Sequence, residues 1–384
     1  MREPALALVP TVIIALSAAV GAQSASTIAP GSKSTPVPSY RVSFERREPI
    51  PGISATGAIE LPFQCTSDGT FFVNFVGTVP AGAGIQPPLV QPALLTSVSP
   101  SGRGHTFRLD QVPELYVSRE KDHFASDSEV IFLVRASREN KPVKRTYRRK
   151  DGSEGEYEDN SAPQHLYILS FTREGEYRRT TEIEDAFSIV RLGVFPRGTF
   201  LAFGFEEKDH SPRLAMLTQD GTFLKSLTIP AGDAPQSMVG GADARHPHAV
   251  APAELVPSGH SILIVQNNTT FPLLEVGEGG AIRAIRPDLP DGQQIRHVIP
   301  ANQSLYVIAG SENAEAFAGT IYEVSPEDGA LLKRFELSDG REGSEVACVH
   351  DGKFLSLDYG DGKVIPVVGT AEVAATAAGR ERNK

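Results

Sequence analysis

Short apolar runs and polar turns alternate along this chain, and one pattern of them recurs about six times. An apolar run leads into a tight turn, a second apolar run follows, and a turn that contains an acidic residue and glycine comes next. Residues 66–73 and residues 195–202 are two clear copies. Short runs of this kind between glycine-containing turns predict β-strands that are joined by hairpins.

The copies are roughly 45–70 residues apart, which is the spacing of a four-stranded repeat. We therefore predict an all-β fold, a six-bladed β-propeller with four-stranded antiparallel blades. The strands of each blade are called A to D. The predicted A–B turns lie near Gly69, Asp127, Gly198, Gly259, Asn302 and Gly352. The predicted C–D turns lie near Gly102, Gly175, Gly221, Gly279 and Gly329.

The sixth repeat has a predicted C strand at residues 363–368, but no D strand follows it. Residues 40–44, which precede the first A strand, have a suitable pattern to supply the missing strand. Closure by both chain ends removes exposed edges, so we predict a ring closed by this N-terminal strand. The propeller is expected to cover residues 40–370, and residues 371–384 are expected to be a disordered tail.

The N-terminal segment has the composition of an export signal. Arg2 precedes an apolar stretch over residues 5–20, and small residues at 20–22 provide a cleavage site. We predict a signal peptide over residues 1–22, a flexible linker over residues 23–39 and a secreted or periplasmic protein. An uncleaved membrane anchor is the alternative, although the stretch is shorter than the ~20 residues that span a bilayer comfortably.

The charge of the chain limits its partners. The 384 residues include 37 basic and 47 acidic side chains, which gives a formal net charge of −10. This balance argues against nucleic acid and against an anionic membrane as partners. The predicted partner is a protein or a small-molecule ligand, with no membrane insertion after signal cleavage, and the predicted oligomeric state is a monomer.

Long and short connections are distributed unevenly. The B–C and D–A connections include long segments such as residues 77–93, 137–164 and 230–250, whereas the A–B and C–D turns are short. In this strand order the long connections share one face of the disc, the long-loop face, and the short turns share the tight-turn face. Binding residues concentrate on loops that a rigid scaffold carries, so the sequence predicts a site on the long-loop face.

Residues 137–164 contain a basic stretch that an acidic stretch follows at once. Folding the segment about its central Asp-Gly sets Arg149 against Glu154, and the same register sets Val134 against Leu169. Opposite charges that face each other across strands contribute about 0.2–1 kcal/mol per pair, so the segment is predicted to form a β-ribbon. A solvated hairpin and a partner-docking arm are both compatible with such a ribbon.

The two cysteines, Cys65 and Cys348, lie at the same distance before the turn glycine of their repeats. Export permits a disulfide, and the first and last blades become neighbours when the ring closes. Equivalent positions point the same way around a ring, however, so the two Cβ atoms are not expected to face each other. The favoured interpretation is a pair of buried thiols, and a disulfide is the alternative.

The best candidate for metal chemistry is the segment Asp243-Ala244-Arg245-His246-Pro247-His248. Alternate residues of an extended segment point the same way, so His246 and His248 could ligate one divalent metal ion, with Asp243 as third ligand. Solvated loop histidines are the alternative, because a His-x-His pair is common by chance.

Three polar residues in or next to predicted inner strands, Arg191, His297 and Glu345, are candidates for binding a ligand in the axial channel. Structural polarity is the alternative for each of them.

Two turn motifs carry a resemblance to a known group of folds. Ser325-Pro326-Glu327-Asp328-Gly329 and Ser99-Pro100-Ser101-Gly102 are similar to the Ser-Pro-Asp-Gly turns of TolB-like blades, with an insertion and a substitution respectively. Over most of residues 40–370 the chain resembles six-bladed β-propellers of the NHL, TolB and lactonase-like kind in period and turn chemistry. That group includes binding scaffolds and hydrolases, so the resemblance implies the fold and leaves the activity open.

Two functions are compatible with these features. The first, which we favour, is an exported non-enzymatic module that binds through its long-loop face, with residues 137–164 and 230–250 as contacts. The alternative is a metal-assisted hydrolase or lactonase at the channel mouth. In that alternative the His-x-His segment holds the metal, which lowers the pKa of a bound water to near neutrality, and Glu345 is the general base.

Overall fold

In the computed structural model, the described residues all belong to the second of two compact units, Met1–Pro36 and Val37–Lys384. Apart from one 3-10 turn at Leu109–Gln111, all regular structure among them is β-strand, which confirms the predicted all-β class. No helix in these ranges has the length and apolarity to cross a membrane. The described ranges are 37–51, 57–77, 95–148, 152–184, 187–206, 208, 211–229, 253–266, 272–301, 303–311, 319–338, 341, 345–360 and 362–374.

Four separate sheets each contain four antiparallel strands. Sheet 1 is formed by β2 (Gly57–Cys65), β3 (Phe71–Gly77), β4 (Leu95–Val98) and β5 (Gly104–Thr106). Sheet 2 is formed by β6 (Tyr116–Ala125), β7 (Val130–Ser137), β10 (His165–Phe171) and β11 (Tyr177–Ile183). Sheet 3 is formed by β12 (Ser188–Val194), β13 (Phe200–Phe205), β14 (Pro212–Leu217) and β15 (Phe223–Leu227). Sheet 4 is formed by β16 (Ala253–Ser258), β17 (Ser261–Gln266), β18 (Leu273–Gly277) and β19 (Ile282–Ile285).

An eight-stranded sheet contains the remaining large strands, and we call its two halves sheets 5 and 6. Sheet 5 is formed by β20 (Gln293–Ala301), β21 (Ser304–Ser311), β22 (Thr320–Val324) and β23 (Leu331–Leu337). Sheet 6 is formed by β24 (Val346–His350), β25 (Lys353–Gly360), β26 (Lys363–Val373) and β1 (Ser39–Arg46).

The N-terminal strand β1 joins the two halves of this sheet. It pairs antiparallel with β26, as in Phe44 opposite Gly369, and parallel with β23, as in Tyr40 opposite Phe335. The pairing with β26 is the one that the sequence suggested, and the parallel pairing with β23 is additional. β26 continues to Val373, which lies beyond residue 370, the expected end of the domain.

The core lies between neighbouring sheets, because the middle strands are covered on both faces. β7 reads Val-Ile-Phe-Leu-Val-Arg-Ala-Ser, and its first five residues are all buried, as expected for a strand with a sheet on each side. One aromatic cluster joins sheets 1 and 2, with ring centroids 5.5–6.3 Å apart. Its members are Phe72, Phe107, Phe132 and Phe171.

The first strands of the six sheets contact one another in cyclic order: β2, β6, β12, β16, β20, β24 and again β2. We call them the inner strands. The turns that follow them are tight where predicted, as far as the structure describes them, and Gly69 shows why glycine is needed there. Its φ is +82°, and a Cβ atom on it would lie 2.7 Å from the Cβ atom of His350 in sheet 6.

Cys65 and Cys348 form a disulfide, so the favoured interpretation of two buried thiols is wrong. Their Cα atoms are 5.3 Å apart, and the bond joins β2 of sheet 1 to β24 of sheet 6. The error came from aligning the cysteines by their distance to the turn glycine. The ladder pairs Cys65 with Phe71, the first residue of β3, but it pairs Cys348 with Leu355, the third residue of β25.

This offset of one residue turns the two side chains toward each other. Phe354 packs against Phe335 of sheet 5 with ring centroids 4.9 Å apart, so its neighbour Leu355 points the other way, toward sheet 1. Cys348 shares the side of its cross-strand partner Leu355. The turn after β24 is shorter than the turn after β2, where the Thr66 N–H donates to the Thr70 carbonyl, and this difference produces the offset.

The ribbon of residues 137–164 is present, as a separate two-stranded sheet of β8 (Pro142–Arg148) and β9 (Glu154–Asn160). Its register differs from the predicted one. Glu154 lies opposite Arg148 rather than Arg149, and within sheet 2 Val134 lies opposite Tyr167 rather than Leu169. The registers of ribbon and sheet differ from each other because the chain between them is irregular. A single fold about the central turn therefore could not predict both.

Candidate functional site

Polar side chains on the inner strands form a belt that links neighbouring sheets. We call this set the inner-strand belt. The ladders of β6, β12 and β20 shift register next to several belt residues. Because an extra residue in a strand re-aims the side chains around it, these irregularities turn polar groups toward the adjoining sheet. The belt consists of Gln64, Glu120, Lys121, Asp122, His123, Arg191, Glu254 and His297.

Asp122 and Arg191 connect sheets 2, 3 and 4. Arg191 donates from Nη1 to Asp122 Oδ1 at 2.9 Å and from Nε to the Ala253 carbonyl at 3.1 Å. The Leu192 N–H donates to Asp122 Oδ2 at 2.9 Å. Burial raises the pKa of Asp122, although Arg191, His123 and the Leu192 N–H oppose that shift. The carboxylate therefore depends on its partners for its charge.

Glu254 and His297 connect sheets 4 and 5. Glu254 lies near the start of β16, and its Oε2 is 3.1 Å from Nδ1 of His297 on β20. The His297 side chain is only 5% exposed. A histidine this deeply buried needs a hydrogen-bond partner, and the neighbouring sheet supplies it.

Gln64 and Lys121 complete the belt at two junctions. The Gln64 side-chain amide bridges sheets 1 and 2, since Nε2 donates to the His123 carbonyl at 3.0 Å and Oε1 accepts from the Ala125 N–H at 2.7 Å. Lys121 Nζ donates to the Ile189 carbonyl at 2.9 Å. Within β6, His123 Nδ1 lies 3.1 Å from Glu120 Oε1. Belt groups thus satisfy their hydrogen bonds with one another or with backbone groups, across or within sheets.

The three inner-strand residues predicted from the sequence have different surroundings. Arg191 and His297 lie in the belt, at different sheet junctions and with different carboxylate partners. Of these two, Arg191 is the more exposed, at 32%, and in the described part of the chain its Nη2 has no protein partner, so it can also contact a ligand. Glu345 precedes β24, is 47% exposed and lies 3.8 Å from Arg341 Nη1. It does not belong to the belt.

Sequence reasoning missed most of the belt. Asp122 and its neighbours form a charged run, Arg-Glu-Lys-Asp-His, inside the predicted first strand of the second repeat, and this run was the available signal. Asp243, His246 and His248 lie outside the described residues. Among the described residues, no three His, Cys, Asp or Glu side chains are grouped in a way that could hold a metal ion.

Two concavities adjoin each other on the tight-turn face. One, of about 500 Å³, lies at the axial mouth between the A–B turns of sheets 1 to 5. The other, of about 830 Å³, extends outward between sheets 3 and 4. They share part of their lining, which includes Pro196, Ser258, His260, Ser261, Glu275 and Arg283. The described concavities thus lie on the face opposite to the predicted one, whose loops at 78–94 and 230–252 are outside the described residues.

The wall that the two concavities share is held in place by its own bonds. Glu275 accepts from Ser261 Oγ at 2.8 Å through Oε1 and from Arg283 Nε at 2.9 Å through Oε2. Sheet 5 repeats the arrangement, where Glu323 accepts from Ser304 and Lys333. These carboxylates are neutralised within their own sheets.

Asp68 organises the turn after β2 on the same face. Thr66 Oγ1 donates to its Oδ1 at 2.9 Å, the Thr70 N–H donates to Oδ1 at 3.0 Å, and Arg173 of sheet 2 pairs with Oδ2. Burial alone raises the pKa of Asp68, but these bonds outweigh it and lower the pKa to about 2. The turn therefore depends on the ionised carboxylate.

The ribbon of β8 and β9 projects charged groups into solvent. Arg145 donates from Nε to Asp159 Oδ2 at 2.6 Å, and Lys144 and Glu156 are 75% and 67% exposed. Asn160 fastens the base, because its Oδ1 accepts from the Lys141 N–H at 2.9 Å and its Nδ2 donates to the Glu139 carbonyl at 2.8 Å. An isolated two-stranded hairpin is marginally stable, so this fastening helps to hold the ribbon.

Comparison with known proteins leaves the family open. No protein-family model matches the chain, and no curated protein matches it. Virginiamycin B lyase from Staphylococcus aureus has 11% identity and a TM-score of 0.39, over 85% of this chain and 99% of that one. A puromycin hydrolase has 12% identity and a TM-score of 0.40, over 85% of this chain and 55% of that one. TM-scores below 0.5 carry no argument about activity, and the NHL, TolB or lactonase-like assignment stays a prediction.

Proposed function

We propose that this chain is an exported binding module built on a six-bladed β-propeller whose ring is closed by β1. The cyclic contacts among the six inner strands support the blade count. The position of β1 between β26 and β23 supports closure by the N-terminal strand. The Cys65–Cys348 disulfide supports a secreted or periplasmic location, because disulfides persist in oxidising compartments.

The observation that carries the binding role is the ribbon of β8 and β9. It forms a sheet of its own whose described charged side chains are exposed or half-buried. It also connects β7 to β10 and therefore belongs to the long-loop face. A projecting ribbon adds little to the core and presents paired charges to a partner, and complementary charges of this kind govern partner choice and association rate. The module binds a protein partner through this ribbon.

The test compares the intact chain with a chain in which residues 142–160 are replaced by an Asn-Gly turn. The Ser161 N–H donates to the Lys141 carbonyl at 3.0 Å, so the two ends are already close enough for a short turn. Both proteins are expressed in the host, and partners are captured from the exported fraction and quantified by mass spectrometry. We expect equal folding by circular dichroism and loss of the captured partner from the shortened chain. An unchanged set of partners would contradict the proposal.

A second variant keeps the ribbon and exchanges one ion pair in place. The double variant Arg145→Asp/Asp159→Arg keeps opposite charges on the two strands and reverses the charges that a partner meets. We expect the ribbon to remain folded and the binding of the captured partner to weaken several-fold, mainly through a slower association rate. Equal binding by this variant would show that the ribbon charges do not select the partner.

A further inference from the structure

The axial mouth on the tight-turn face has the size and construction of a small-molecule site. Its volume is about 500 Å³, inside the range of about 300–1,000 Å³ that is typical of ligand pockets. Turns from five successive sheets surround it, and buried side chains such as Val194 contribute to its lining. It lies on the opposite face from the ribbon, so it is independent of the docking role.

Hydrogen bonds between neighbouring turns set the shape of the mouth before any ligand arrives. The Ser67 N–H of sheet 1 donates to Asp127 Oδ1 of sheet 2 at 2.7 Å. His350 Nδ1 of sheet 6 is 3.0 Å from the Ser67 carbonyl. A preformed site loses little conformational entropy on binding, which favours ligand affinity.

Several polar groups of the mouth have no protein partner in the described part of the chain. They are spread around its lining, from sheet 1 to sheet 5. The lining also holds Glu275 and Arg283, which are bonded to each other and so offer no free charge. The unpartnered groups are Asp127 Oδ2, the hydroxyls of Ser67 and Ser258, the imidazole of His260 and the amide of Gln303.

The charge of these groups indicates the class of ligand. Among the described lining residues, Asp127 has a carboxylate that is not paired with a basic side chain. Its Oδ2 can therefore accept a charge-assisted hydrogen bond from a ligand. A ligand ammonium group has three hydrogen-bond donors for this carboxylate. The hydroxyl, imidazole and amide groups of the mouth can bond to hydroxyl or amide substituents on the rest of the ligand. We infer that the axial mouth binds a small organic cation, an ammonium group on a polyhydroxyl scaffold.

Isothermal titration calorimetry with three matched probes tests this inference on the full chain. Glucosamine, glucose and glucuronate share a pyranose frame and carry positive, zero and negative charge in neutral buffer. We expect glucosamine to bind with one site per chain, glucose to bind about tenfold or more weakly, and glucuronate not to bind. Equal affinity for glucosamine and glucose, or no glucosamine binding up to its solubility limit, would overturn the inference.

Variants locate the site. Asp127→Asn keeps an oxygen that can accept from the Ser67 N–H and removes the charge, and we expect it to weaken glucosamine binding about tenfold. Asp351→Asn is the matched control, because Asp351 occupies the corresponding turn of sheet 6 outside the mouth. Its φ of 49° is one that asparagine tolerates. We expect this control to bind as the unmodified chain does.

A second variant covers the case in which Asp127→Asn fails to fold. Gln303→Ala removes an exposed amide that has no partner among the residues that the structure describes, so folding should be unaffected. We expect it to weaken glucosamine binding several-fold. Glucosamine binding that is unchanged in both variants, or in Gln303→Ala alone if Asp127→Asn does not fold, would place the ligand elsewhere and overturn the inference.

Discussion

Loss of the disulfide between Cys65 and Cys348 should lower the free energy of unfolding by about 5 kcal/mol. The bond spans a sequence separation of 283 residues, and the chain-entropy relation for a loop of that length gives about 5–6 kcal/mol at 25 °C. The bond ties sheet 1 to sheet 6, so in the unfolded chain it joins the two ends of the domain. Because that constraint acts mainly on the unfolded state, the native sheets should change little.

The assay is guanidinium denaturation of the double variant Cys65→Ala/Cys348→Ala, followed by far-ultraviolet circular dichroism. Alanine is chosen because both positions are buried, and serine would place unpaired hydroxyls there. The single variants Cys65→Ala and Cys348→Ala are the controls, since each alone removes the whole cross-link. We expect all three variants to unfold within about 1 kcal/mol of one another, with a larger dependence on denaturant than the oxidised chain. A double variant with the midpoint of the oxidised chain would refute the reasoning.

Three further predictions concern the inner strands, the tight-turn face and the metal hypothesis. Arg191→Met should lower the free energy of unfolding by about 3 kcal/mol at neutral pH, because Asp122 loses the cation that it pairs with. The difference from the unmodified chain, measured by thermal denaturation, should shrink as the pH falls and Asp122 becomes protonated. A difference that stays constant across pH would contradict this prediction. Asp68→Asn should lower the free energy of unfolding by about 1 kcal/mol at neutral pH. This value is small because the Asp68 side chain is 51% exposed and solvent screens its ion pair. The folded pKa of Asp68, about 2, lies below the ordinary aspartate value of 3.8, so the stabilisation is complete above about pH 4 and disappears as the pH falls toward 2. Urea midpoints across this window measure it. His246→Ala/His248→Ala should leave the melting temperature and the metal content unchanged if the chain is a binding module, whereas one divalent ion per chain that is lost in the variant would favour the hydrolase alternative.

The candidate site was only partly predictable from residue patterns. Arg191 and His297 were identified because they interrupt apolar inner strands, and both lie in the inner-strand belt. Their partners Asp122 and Glu254 were not identified, because the local sequence does not indicate which carboxylate of the next sheet lies opposite each residue. The β-bulges next to Arg191 and Asp122 set the direction of these side chains, and a bulge depends on how two strands pair rather than on the residues of one strand.

The sequence by itself determined the all-β class, the positions of the tight turns and the presence of a ribbon. These depend on contacts between residues that are close along the chain, so period and turn chemistry suffice to predict them. Only the tertiary structure decided the register of that ribbon, the pairing of Cys65 with Cys348 and the location of the described concavities. Each of these depends on a shift of a single residue or on the assembly of turns from several sheets. Because successive side chains of a strand point to opposite faces of the sheet, a register shift of one residue moves each side chain to the other face and changes its contacts.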